Sequence, residues 1–465
     1  MIPSVKSCLS TLERELDQPK DIAALAAFRV LVGTLVSVSA LRFINNGWVE
    51  LFFVKPRYMF KFWGLEWVEV LPPQGMHLLF WALAALGLCV ALGLFYRVAI
   101  VGTFVVFTYI ELLDVTNYLN HYYLLSLLTF LMAFMPLHGA FSIDAMLRPG
   151  LRRETLPGWM TWLLRYQVAA VYLFAGLAKF GGDWLLHAQP LNIWLTARGE
   201  MPIVGPYLNL WWVALAMSWA GFLYDTTLPF WLLWRRSRPY AFAVLVAFHT
   251  AVGALFDIGI FPFIMVSVAT VFFLPSWPRK LMGRAQAPAS PPPPGPERAL
   301  GRGMKTTLAL VAIYCLIQAV VPMRSLFYPG NVLWHEQGMR WSWKVLVREK
   351  NGAVIYKVHL PRSGAKKHVP LSRYLTDNQA REMSGQPDMI LQLGHHIGEE
   401  FRAKGHEDVE VRVHALVSLN GRKAQALIDP GVDLMTIKNG WGHASWIMPG
   451  PTSPPIRLRS APKTK

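Results

Sequence analysis

The 465-residue chain has few charged residues for its length, and they are outnumbered by apolar ones. Asp, Glu, Lys and Arg make up 16% of the sequence, whereas hydrophobic residues make up 54% and aromatic residues 13%. The mean hydropathy is +0.33. Because this apolar content is gathered in long runs, it exceeds what one water-soluble core needs. The composition therefore predicts a polytopic membrane protein.

Cysteine is scarce, and its positions exclude a structural disulfide on an exported face. Cys8 precedes the first apolar run, while Cys89 and Cys315 fall within apolar runs. No CxxC or other metal-binding pattern occurs, so no metal is expected. The chain also lacks any Asn-x-Ser/Thr acceptor, which favours a bacterial inner membrane over a eukaryotic secretory one.

No short apolar leader with a small-residue cleavage site opens the chain. Residues 10–16 (STLEREL) instead predict the start of an amphipathic helix, so the first span is expected to be retained. Nine apolar segments then predict transmembrane helices, several of them near the about 20 residues that cross about 30 Å of hydrocarbon. They are residues 22–43, 76–95, 98–113, 121–137, 160–180, 209–234, 239–256, 258–275 and 304–322.

Basic residues fall in alternate loops, which the positive-inside rule places in the cytoplasm. They are Arg97, Arg148, Arg152, Arg153, Arg235, Arg236, Arg238, Arg279, Lys280 and Arg284. Nine crossings then put the N-terminus in the cytoplasm and the C-terminus outside. The net charge of +17 follows from this topology and a basic tail, so no nucleic-acid partner is needed to explain it.

Composition also divides the chain into predicted domains. An amphipathic segment (1–21) precedes the main transmembrane domain (22–281), a Pro-rich cytoplasmic linker (282–303) and the last span (304–322). After Gly330 hydropathy falls, and residues 331–465 predict a soluble extracytoplasmic domain of α+β or β-rich type. Its predicted strands are 340–348, 354–360, 409–419 and 424–428, and its predicted helical stretch is 377–404.

Polar side chains near the outer ends of the spans form the candidate site, as a pocket opening outward would require. They include Glu111, Asp114, Asn120, His121, Lys179 and Asp257, with Asp225 and His249 deeper. A buried ammonium must find a partner or lose its proton. Lys179 can therefore snorkel outward, pair with Asp183 at i+4 or with Asp257, or act as a neutral base.

Other polar residues of the spans also have purely structural interpretations. Asp225 can neutralise Arg29 or Arg165 in the inner half of the membrane. A lone histidine such as His121 or His249 more often satisfies a neighbouring polar group than performs chemistry. The residues alone thus name a candidate site and no reaction.

Many stretches resemble the vitamin K-dependent gamma-glutamyl carboxylase family, also known through the horizontally transferred transmembrane (HTTM) domain. In the membrane part they are residues 28–33 (FRVLVG), 113–116 (LDVT) with Asn120 and His121, 175–179 (AGLAK) with Asp183 and Trp184, 248–249 (FH), 255–261 (LFDIGIF) and 275–280 (PSWPRK). In the outer domain they are 341–343 (WSW), 417–420 (VSLN), 429–433 (DPGVD) and 445–446 (SW).

The resemblance implies a coupled oxygenation. In that family a lysine at the position of Lys179 deprotonates a reduced naphthoquinone (vitamin K), and the product reacts with O2 to give a base that removes a γ proton from a peptide glutamate. CO2 then adds to form gamma-carboxyglutamate, and the quinol becomes its epoxide. Desolvation beside Phe174, Leu177 and Phe180 would favour a neutral Lys179 able to accept that proton.

The resemblance also assigns roles to individual residues. Lys179 and His121 are the catalytic candidates, with His121 stabilising a developing oxyanion. The cofactor-binding candidates are Asn120, His249, Asp257 and Phe180, and the substrate-binding candidates are Trp341, Ser342, Trp343 and Arg348. Arg340 and Lys350 offer further positive charge for a carboxylate. The implied partners are the lipid bilayer, an acidic secreted peptide or protein and a quinone-recycling reductase.

Three hypotheses about function follow. The first is a quinol-dependent peptidyl-glutamate carboxylase, and the second is a related oxidoreductase that epoxidises quinol without carboxylating. The third is a proton-linked transporter that uses the same intramembrane charges. A transporter is expected to show repeated halves with interrupted helix pairs and no large outer domain.

Overall fold

The computed structural model describes residues 12–283 and 301–457. In these residues nine helices of nine or more residues lie before the outer domain, and each coincides with one predicted span. They are α1 (Ala23–Asn45), α2 (Pro73–Leu92), α3 (Tyr96–Leu112), α4 (Asn120–Ala133), α5 (Gly158–Ala178), α6 (Trp211–Leu233), α7 (Arg238–Leu255), α8 (Phe261–Ala269) and α9 (Arg302–Met323).

Four of these helices are both long and apolar enough to cross a membrane. Among the described residues they are α1, α2, α7 and α9, the last extended by a 3-10 turn as Arg302–Phe327. Their most apolar 18-residue windows have hydropathies of 1.9, 2.0, 1.3 and 1.9. Membrane association is thus supported by the helices themselves, while the nine crossings and their orientation stay predictions.

Shorter helical turns lie between the nine helices and within the outer domain. They are Glu50–Val54, Val115–Asn117, Leu137–Gly139, Ile143–Leu147, Pro149–Leu151, Gly182–Leu185, Leu191–Thr196, Gly205–Leu208, Thr270–Phe272, Trp277–Leu281, Arg324–Phe327, Val332–His335, Leu371–Arg373 and Leu434–Thr436. A two-stranded antiparallel pair, β1 (Pro19–Asp21) with β2 (Thr155–Pro157), ties the segment before α1 to the start of α5.

Two predicted segments fall partly outside the described residues. The amphipathic N-terminal segment is described only from Leu12, where residues 12–17 are helical. The Pro-rich linker is described only at its two ends, residues 282–283 and 301–303.

The outer domain is built on an antiparallel sheet with two helices against one face. Its strands β3 (Lys350–Leu360), β4 (Ala365–Val369), β5 (Glu410–Leu419) and β6 (Gln425–Ala426) have the order β4-β3-β5-β6. Helices α10 (Asp377–Ser384) and α11 (Pro387–Ala403) follow β4 in the chain. Alternate residues of β3 and β5 are buried, because successive side chains of a strand point to opposite faces. The predicted strands at 354–360 and 409–419 and the helical stretch at 377–404 are confirmed.

The predicted strand at 340–348 is wrong. Residues 340–349 form turns and irregular backbone, in which Trp341, Trp343 and Leu346 have φ of 59°, 57° and 53°. This left-handed conformation is uncommon for bulky side chains and incompatible with a strand. The alternation in this segment arises because its tryptophans pack against the helices: Trp343 is stacked on Tyr123 of α4 with ring centroids 4.9 Å apart.

Polar contacts fasten the outer domain to the loops at the ends of the helices. Gln379 of α10 donates a hydrogen bond to Asp114, which follows α3, with a distance of 2.7 Å between Nε2 and Oδ2. Arg422, after β5, donates to Asp183 over 2.7 Å between Nη1 and Oδ2. Asn420 donates to the same carboxylate over 2.9 Å. The candidate site lies beside this junction.

Candidate active site

Lys179 forms a buried ion pair with Asp225 of α6. The distance between Lys179 Nζ and Asp225 Oδ2 is 2.7 Å, and the two side chains are only 7% and 9% exposed. The close approach of α5 and α6 sets this geometry, because a Cβ added to Gly176 would lie 2.5 Å from Thr226 Cγ2 and 2.9 Å from its backbone nitrogen. Glycine at 176 therefore lets the turn that carries Lys179 meet the turn that carries Asp225.

The ammonium of Lys179 is also enclosed by neutral groups. It lies 3.2 Å from the carbonyl oxygen of Ala175 and 3.5 Å from that of Val345, which belongs to the outer domain. The Trp184 ring covers it, with the ring centroid 5.3 Å from Nζ. Lys179 thus does not snorkel outward, since every partner lies inside the protein.

The four ion pairs that the sequence suggested for Lys179 and Asp225 are wrong. Asp183 binds Arg422, because α5 ends at Ala178 and the extended backbone of Gly181 breaks the helical i, i+4 spacing from Lys179. Asp257 pairs with Arg198 at 2.8 Å. Asp225 neutralises neither inner arginine. Arg29 donates to the carbonyl oxygens of Val90, Ala91 and Phe141, and Arg165 donates to those of Val271, Phe272 and Phe273.

Lys179 and Asp225 line a small cavity of about 90 Å³, which is called the lysine cavity below. His249 of α7 lines it as well, and a hydrogen bond of 3.0 Å joins His249 Nε2 to the hydroxyl of Tyr172. The other ring nitrogen of His249, Nδ1, is buried and has no partner among the described residues. A buried polar atom without a partner is costly, so this nitrogen can receive a polar group of a ligand.

His121 lines a second and larger cavity of about 640 Å³, called the histidine cavity below. Asn120 and Asp257 line it too, so three of the predicted site residues are brought together there. Most of the wall is aromatic and aliphatic, as in small-molecule sites, and the volume falls within their usual range of about 300–1,000 Å³. The lysine cavity falls below that range.

Three residues, Phe261, Val345 and Leu346, line both cavities and separate them. The Phe261 ring centroid lies 5.6 Å from that of His121 and 5.4 Å from that of His249. Leu346 has a φ of 53°, a conformation that the surrounding structure must hold against its intrinsic preference. The candidate residues from α4, α5 and α7 therefore surround one shared wall, contributed partly by the outer domain.

Two family models match the chain over most of its length. The first, the HTTM domain, matches residues 17–277. The second, the vitamin K-dependent gamma-carboxylase lumenal domain, matches residues 304–453. The chain belongs to the vitamin K-dependent gamma-carboxylase (HTTM) family. No solved structure matches it.

The family match and the apolar helices together point to a membrane-associated enzyme of the carboxylase type. The C-terminal part carries the lumenal domain of the family, which suggests that it lies outside the cytoplasm. The remaining site residues are described below within these two parts, the HTTM part and the lumenal-type domain.

Phe180 lies apart from both cavities of the HTTM part. Its side chain is 74% exposed, and its ring packs on Phe222 with a centroid distance of 6.1 Å. Leu177 is likewise exposed, so neither residue encloses the Lys179 ammonium as expected. The apolar shield comes from Trp184 and the lumenal-type domain instead, because the chain turns sharply after Ala178.

The Trp-Ser-Trp segment of the lumenal-type domain anchors that domain on the helices. Trp343 is fully buried against Tyr123, and the Trp341 ring is stacked on Phe62 at 5.6 Å. Ser342 is buried and donates a hydrogen bond to the carbonyl oxygen of Met339. None of the three lines the lysine or histidine cavity, so their predicted contact with a peptide stays a prediction.

Arg348, the fourth substrate-binding candidate, is engaged by an acid of its own domain. Glu336 forms ion pairs with Arg348 and with Lys350, the latter at 3.1 Å between Nζ and Oε1. Lys350 also donates to the carbonyl oxygens of Trp334, at 2.7 Å, and of Gly385. Both basic side chains of this group, which is called the Glu336 cluster below, therefore have partners within the domain.

Arg340 is engaged in the same way. It donates to Asp388, with 2.6 Å between Nη1 and Oδ2, and to Gln386. Burial alone would raise the pKa of Asp388, but the charge of Arg340 and the hydrogen bonds from it hold that pKa below its usual value. All three basic residues expected to meet a substrate carboxylate thus have internal partners.

The sequence missed the partner of Lys179 and the groups that complete its cavity. Asp225 was visible as an acid within a span, but nothing in the sequence showed which cation it faces. Tyr172 and the Val345 carbonyl carried no signal, because a tyrosine in a span and a backbone oxygen are common everywhere. Arg42, which lines the histidine cavity, was also missed.

Proposed function

We propose that this protein is a quinol-dependent peptidyl-glutamate carboxylase in which the Lys179–Asp225 pair takes up the proton of a reduced naphthoquinone. The observation that carries the proposal is this pair itself: a buried amine and carboxylate 2.7 Å apart, lining a cavity at the family's AGLAK segment. Ionisable groups held together in a desolvated cleft are where proton-transfer chemistry is expected.

The pair accepts the proton as a unit. With one proton shared between the two groups, it exists as an ammonium and a carboxylate, and the short distance favours that form over a neutral amine. A second proton, taken from the bound ligand, neutralises the Asp225 carboxylate. The Lys179 ammonium then stays beside the ligand oxygen that lost the proton. Lys179 thus needs Asp225 to act as a base, which revises the expectation of a solitary neutral amine.

The residues present fit a hydroquinone. The partnerless Nδ1 of His249 offers a contact for one hydroxyl, and the Lys179–Asp225 pair offers another. The lysine cavity is too small for a bicyclic ring and the histidine cavity is large enough, so the ring would lie in the histidine cavity and its hydroxyl would reach the lysine cavity past the shared wall of Phe261, Val345 and Leu346. When bound, the hydroquinone supplies the reducing equivalents that, with O2, drive removal of the glutamate γ proton before CO2 is added.

The surrounding side chains keep this proton transfer out of water. Trp184 and the Val345 carbonyl lie against the Lys179 ammonium, and the Lys179 and Asp225 side chains are only 7% and 9% exposed. In a dry site the ammonium of Lys179 stabilises a neighbouring anion more strongly than it would in water. His121 and Asn120 line the adjoining cavity, where His121 can donate a hydrogen bond to a developing oxyanion.

The test is reconstitution of the full-length protein in lipid vesicles with reduced vitamin K, labelled CO2 and a Glu-rich peptide. We expect label in the peptide and formation of the quinone epoxide, and no label when every Glu of the peptide is replaced by Gln. His121→Ala should slow epoxide formation while the protein still folds and inserts. If neither label nor epoxide forms, the proposed function is wrong.

A second candidate is quinol oxidation to the epoxide without carboxylation. The observation that favours it is the Glu336 cluster, because Arg348 and Lys350 share an internal carboxylate and are engaged within their own domain instead of facing either cavity. In the same experiment this function predicts epoxide without labelled peptide, and an epoxide yield that does not respond to the peptide.

We also propose the setting in which the reaction takes place. The nine helices would cross a bacterial inner membrane with the N-terminus in the cytoplasm and the lumenal-type domain outside, where an acidic secreted protein can reach it. A quinone-recycling reductase would return the epoxide to the quinol. Labelling of single engineered cysteines by a membrane-impermeant reagent in intact cells tests the orientation, and labelling at residue 150 but not at residue 405 would contradict it.

A further inference from the structure

Arg42 is a half-buried arginine with no acceptor for its guanidinium. It lies in the last turn of α1 and lines the histidine cavity. Its guanidinium lies over the Trp48 ring, whose centroid is 5.3 Å from Cζ. No residue within 12–283 or 301–457 forms a hydrogen bond or ion pair with the Arg42 side chain.

The other arginines of the HTTM part that are withdrawn from water show what is missing at Arg42. Arg29 and Arg165 each donate to three backbone carbonyls, and Arg238 donates to two, those of Leu232 and Leu233. A guanidinium carries five N–H donors and stays charged, and the nitrogens of Arg42 are not among the buried atoms without a partner, so its donors are accessible from the cavity. Arg42 therefore has donors to spare for a ligand.

Three acids line the histidine cavity: two lie beside another arginine, and the third, Glu111, keeps one oxygen, Oε1, without a partner among the described residues. Asp257 pairs with Arg198, Glu111 accepts a hydrogen bond of 2.6 Å from Ser126, and Glu382 lies 3.9 Å from Arg381. Arg381 in turn donates to Asn378 over 2.9 Å. Of the two described arginines that line this cavity, Arg381 has acceptors on its own helix, and Arg42 lacks a hydrogen-bond or ion-pair partner.

From this geometry we infer that Arg42 binds the γ-carboxylate of the glutamate side chain in the substrate peptide. Planar guanidinium and carboxylate groups match in two parallel hydrogen bonds, which fix orientation as well as position. A glutamate held in this way lies in the cavity that His121 lines and next to the wall shared with Lys179. The inference takes its ligand from the proposed function and adds the residue that recognises it.

The location of the cavity favours a peptide over a lipid headgroup. Asn378, Arg381 and Glu382 of α10 contribute to its lining, so it extends between the helices and the lumenal-type domain. A peptide that lies along that domain can insert one side chain between the two parts. The positions expected to bind the carboxylate, Arg348 and Lys350, are occupied by Glu336, which leaves Arg42 to provide the charge.

The experiment measures binding of a fluorescent peptide to the purified full-length protein in neutral-lipid nanodiscs, without turnover. Wild type should bind a Glu peptide about tenfold or more tightly than its Gln counterpart, as expected for a charge-assisted contact. Arg42→Gln should bring the two affinities within about twofold, and Arg42→Lys should keep part of the difference because it retains charge but not the paired geometry. Arg97→Gln, an exposed arginine away from both cavities, should behave as wild type.

Three results would overturn the inference: equal binding of both peptides by wild type, an unchanged Glu preference in Arg42→Gln, or a loss of Glu preference that follows anionic lipid content rather than the substitution. Thermal unfolding of each variant shows that it is folded. If wild type makes no carboxylated product and Arg42→Gln still erases the Glu preference, the carboxylase proposal fails and the role of Arg42 stands. If wild type and Arg42→Gln both carboxylate the peptide with the same KM, the carboxylase proposal stands and the role inferred for Arg42 is wrong.

Discussion

Two buried lysine–carboxylate groups in this protein differ in what surrounds them. Lys179 and Asp225 in the HTTM part are 7% and 9% exposed, while Lys350 and Glu336 in the lumenal-type domain are 4% and 5% exposed. Burial alone therefore does not distinguish the two pairs. Lys350 is saturated by Glu336 and two carbonyls and lines neither cavity, whereas Lys179 and Asp225 face a cavity beside a histidine nitrogen without a partner.

This difference in surroundings indicates which buried charges are expected to take part in catalysis. A buried charge whose partners are all protein groups fixes the packing, since removing one partner leaves the other uncompensated. A buried charge that keeps one side open to a cavity can change its protonation when a ligand arrives. The comparison predicts that substitutions in the first pair affect turnover most and that substitutions in the Glu336 cluster affect stability most.

The substitution with the largest expected effect on turnover is Lys179→Ala. Epoxide formation and peptide labelling should both fall by about 10²–10⁴-fold, the usual contribution of general base catalysis. Small exogenous amines should restore part of the rate, because the truncated side chain leaves room beside Asp225. Undiminished epoxide formation would show that Lys179 is not part of the catalytic base. Lys179→Ala/Asp225→Ala is the control, since it deletes the charge of the pair without leaving an unpaired acid.

Glu336→Gln tests whether the Glu336 cluster stabilises the lumenal-type domain. It leaves the charges of Arg348 and Lys350 without a carboxylate, which should lower the free energy of unfolding by about 3–5 kcal/mol. The midpoint of thermal unfolding in detergent micelles measures this loss. Glu399→Gln, at an exposed i, i+3 pair with Arg402, should change stability by less than about 1 kcal/mol. Equal effects of the two substitutions would mean that the cluster does not hold the domain together.

Asp183→Asn tests the polar contact that holds the lumenal-type domain against the HTTM part. Burial alone would raise the pKa of Asp183, but the hydrogen bonds from Arg422 and Asn420 and the charge of Arg422 lower it below its usual value. A lowered carboxyl pKa stabilises the folded state above the unfolded pKa of about 3.9, and this stabilisation is lost as the pH falls through the folded pKa. At neutral pH the variant should lose about 1.5–3 kcal/mol, as for hydrogen bonds to a charged group.

The pH dependence separates this charge effect from simple packing. The difference in unfolding midpoint between wild type and Asp183→Asn should shrink as the pH is lowered below about 4. Arg422→Gln should show the same trend because it removes the other side of the contact. A difference that stays constant down to pH 3 would rule out the ion pair as its source.

The smallest expected effect is that of Tyr172→Phe. It removes the hydroxyl that bonds to His249 Nε2 and so frees the imidazole to change orientation beside Lys179. Turnover should fall by about twofold to tenfold, corresponding to one neutral hydrogen bond, with the unfolding midpoint little changed. Tyr314→Phe, which removes a contact with Gln167 away from both cavities, is the matched control and should not alter turnover. A larger loss in the control would show that the cavity is coupled to α9.

Hydropathy alone located the nine helices before the outer domain, because an apolar run of the right length leaves the chain few alternatives. Alternation located β3 and β5 for a similar reason, as each strand has one buried face. The same rule failed at 340–348, where the tryptophans alternate because they dock on α4 and an adjacent loop and not because they belong to a sheet. Alternation of hydrophobic residues therefore predicts which side chains are buried, but it does not predict whether a sheet or a helix buries them.

By itself, the sequence determined that this chain is a helical membrane-associated protein with a mixed outer domain, that Lys179 lies in a costly environment, and which family the chain belongs to. Only the tertiary structure decided that Lys179 faces Asp225, that Arg348 and Lys350 share Glu336, and that Arg42 has no acceptor within residues 12–283 and 301–457. The physical reason is that hydrophobicity is a property of each residue, whereas the partner of a charge depends on contacts between helices. Lys179 and Asp225 are 46 positions apart in the chain and meet because α5 and α6 approach closely at Gly176.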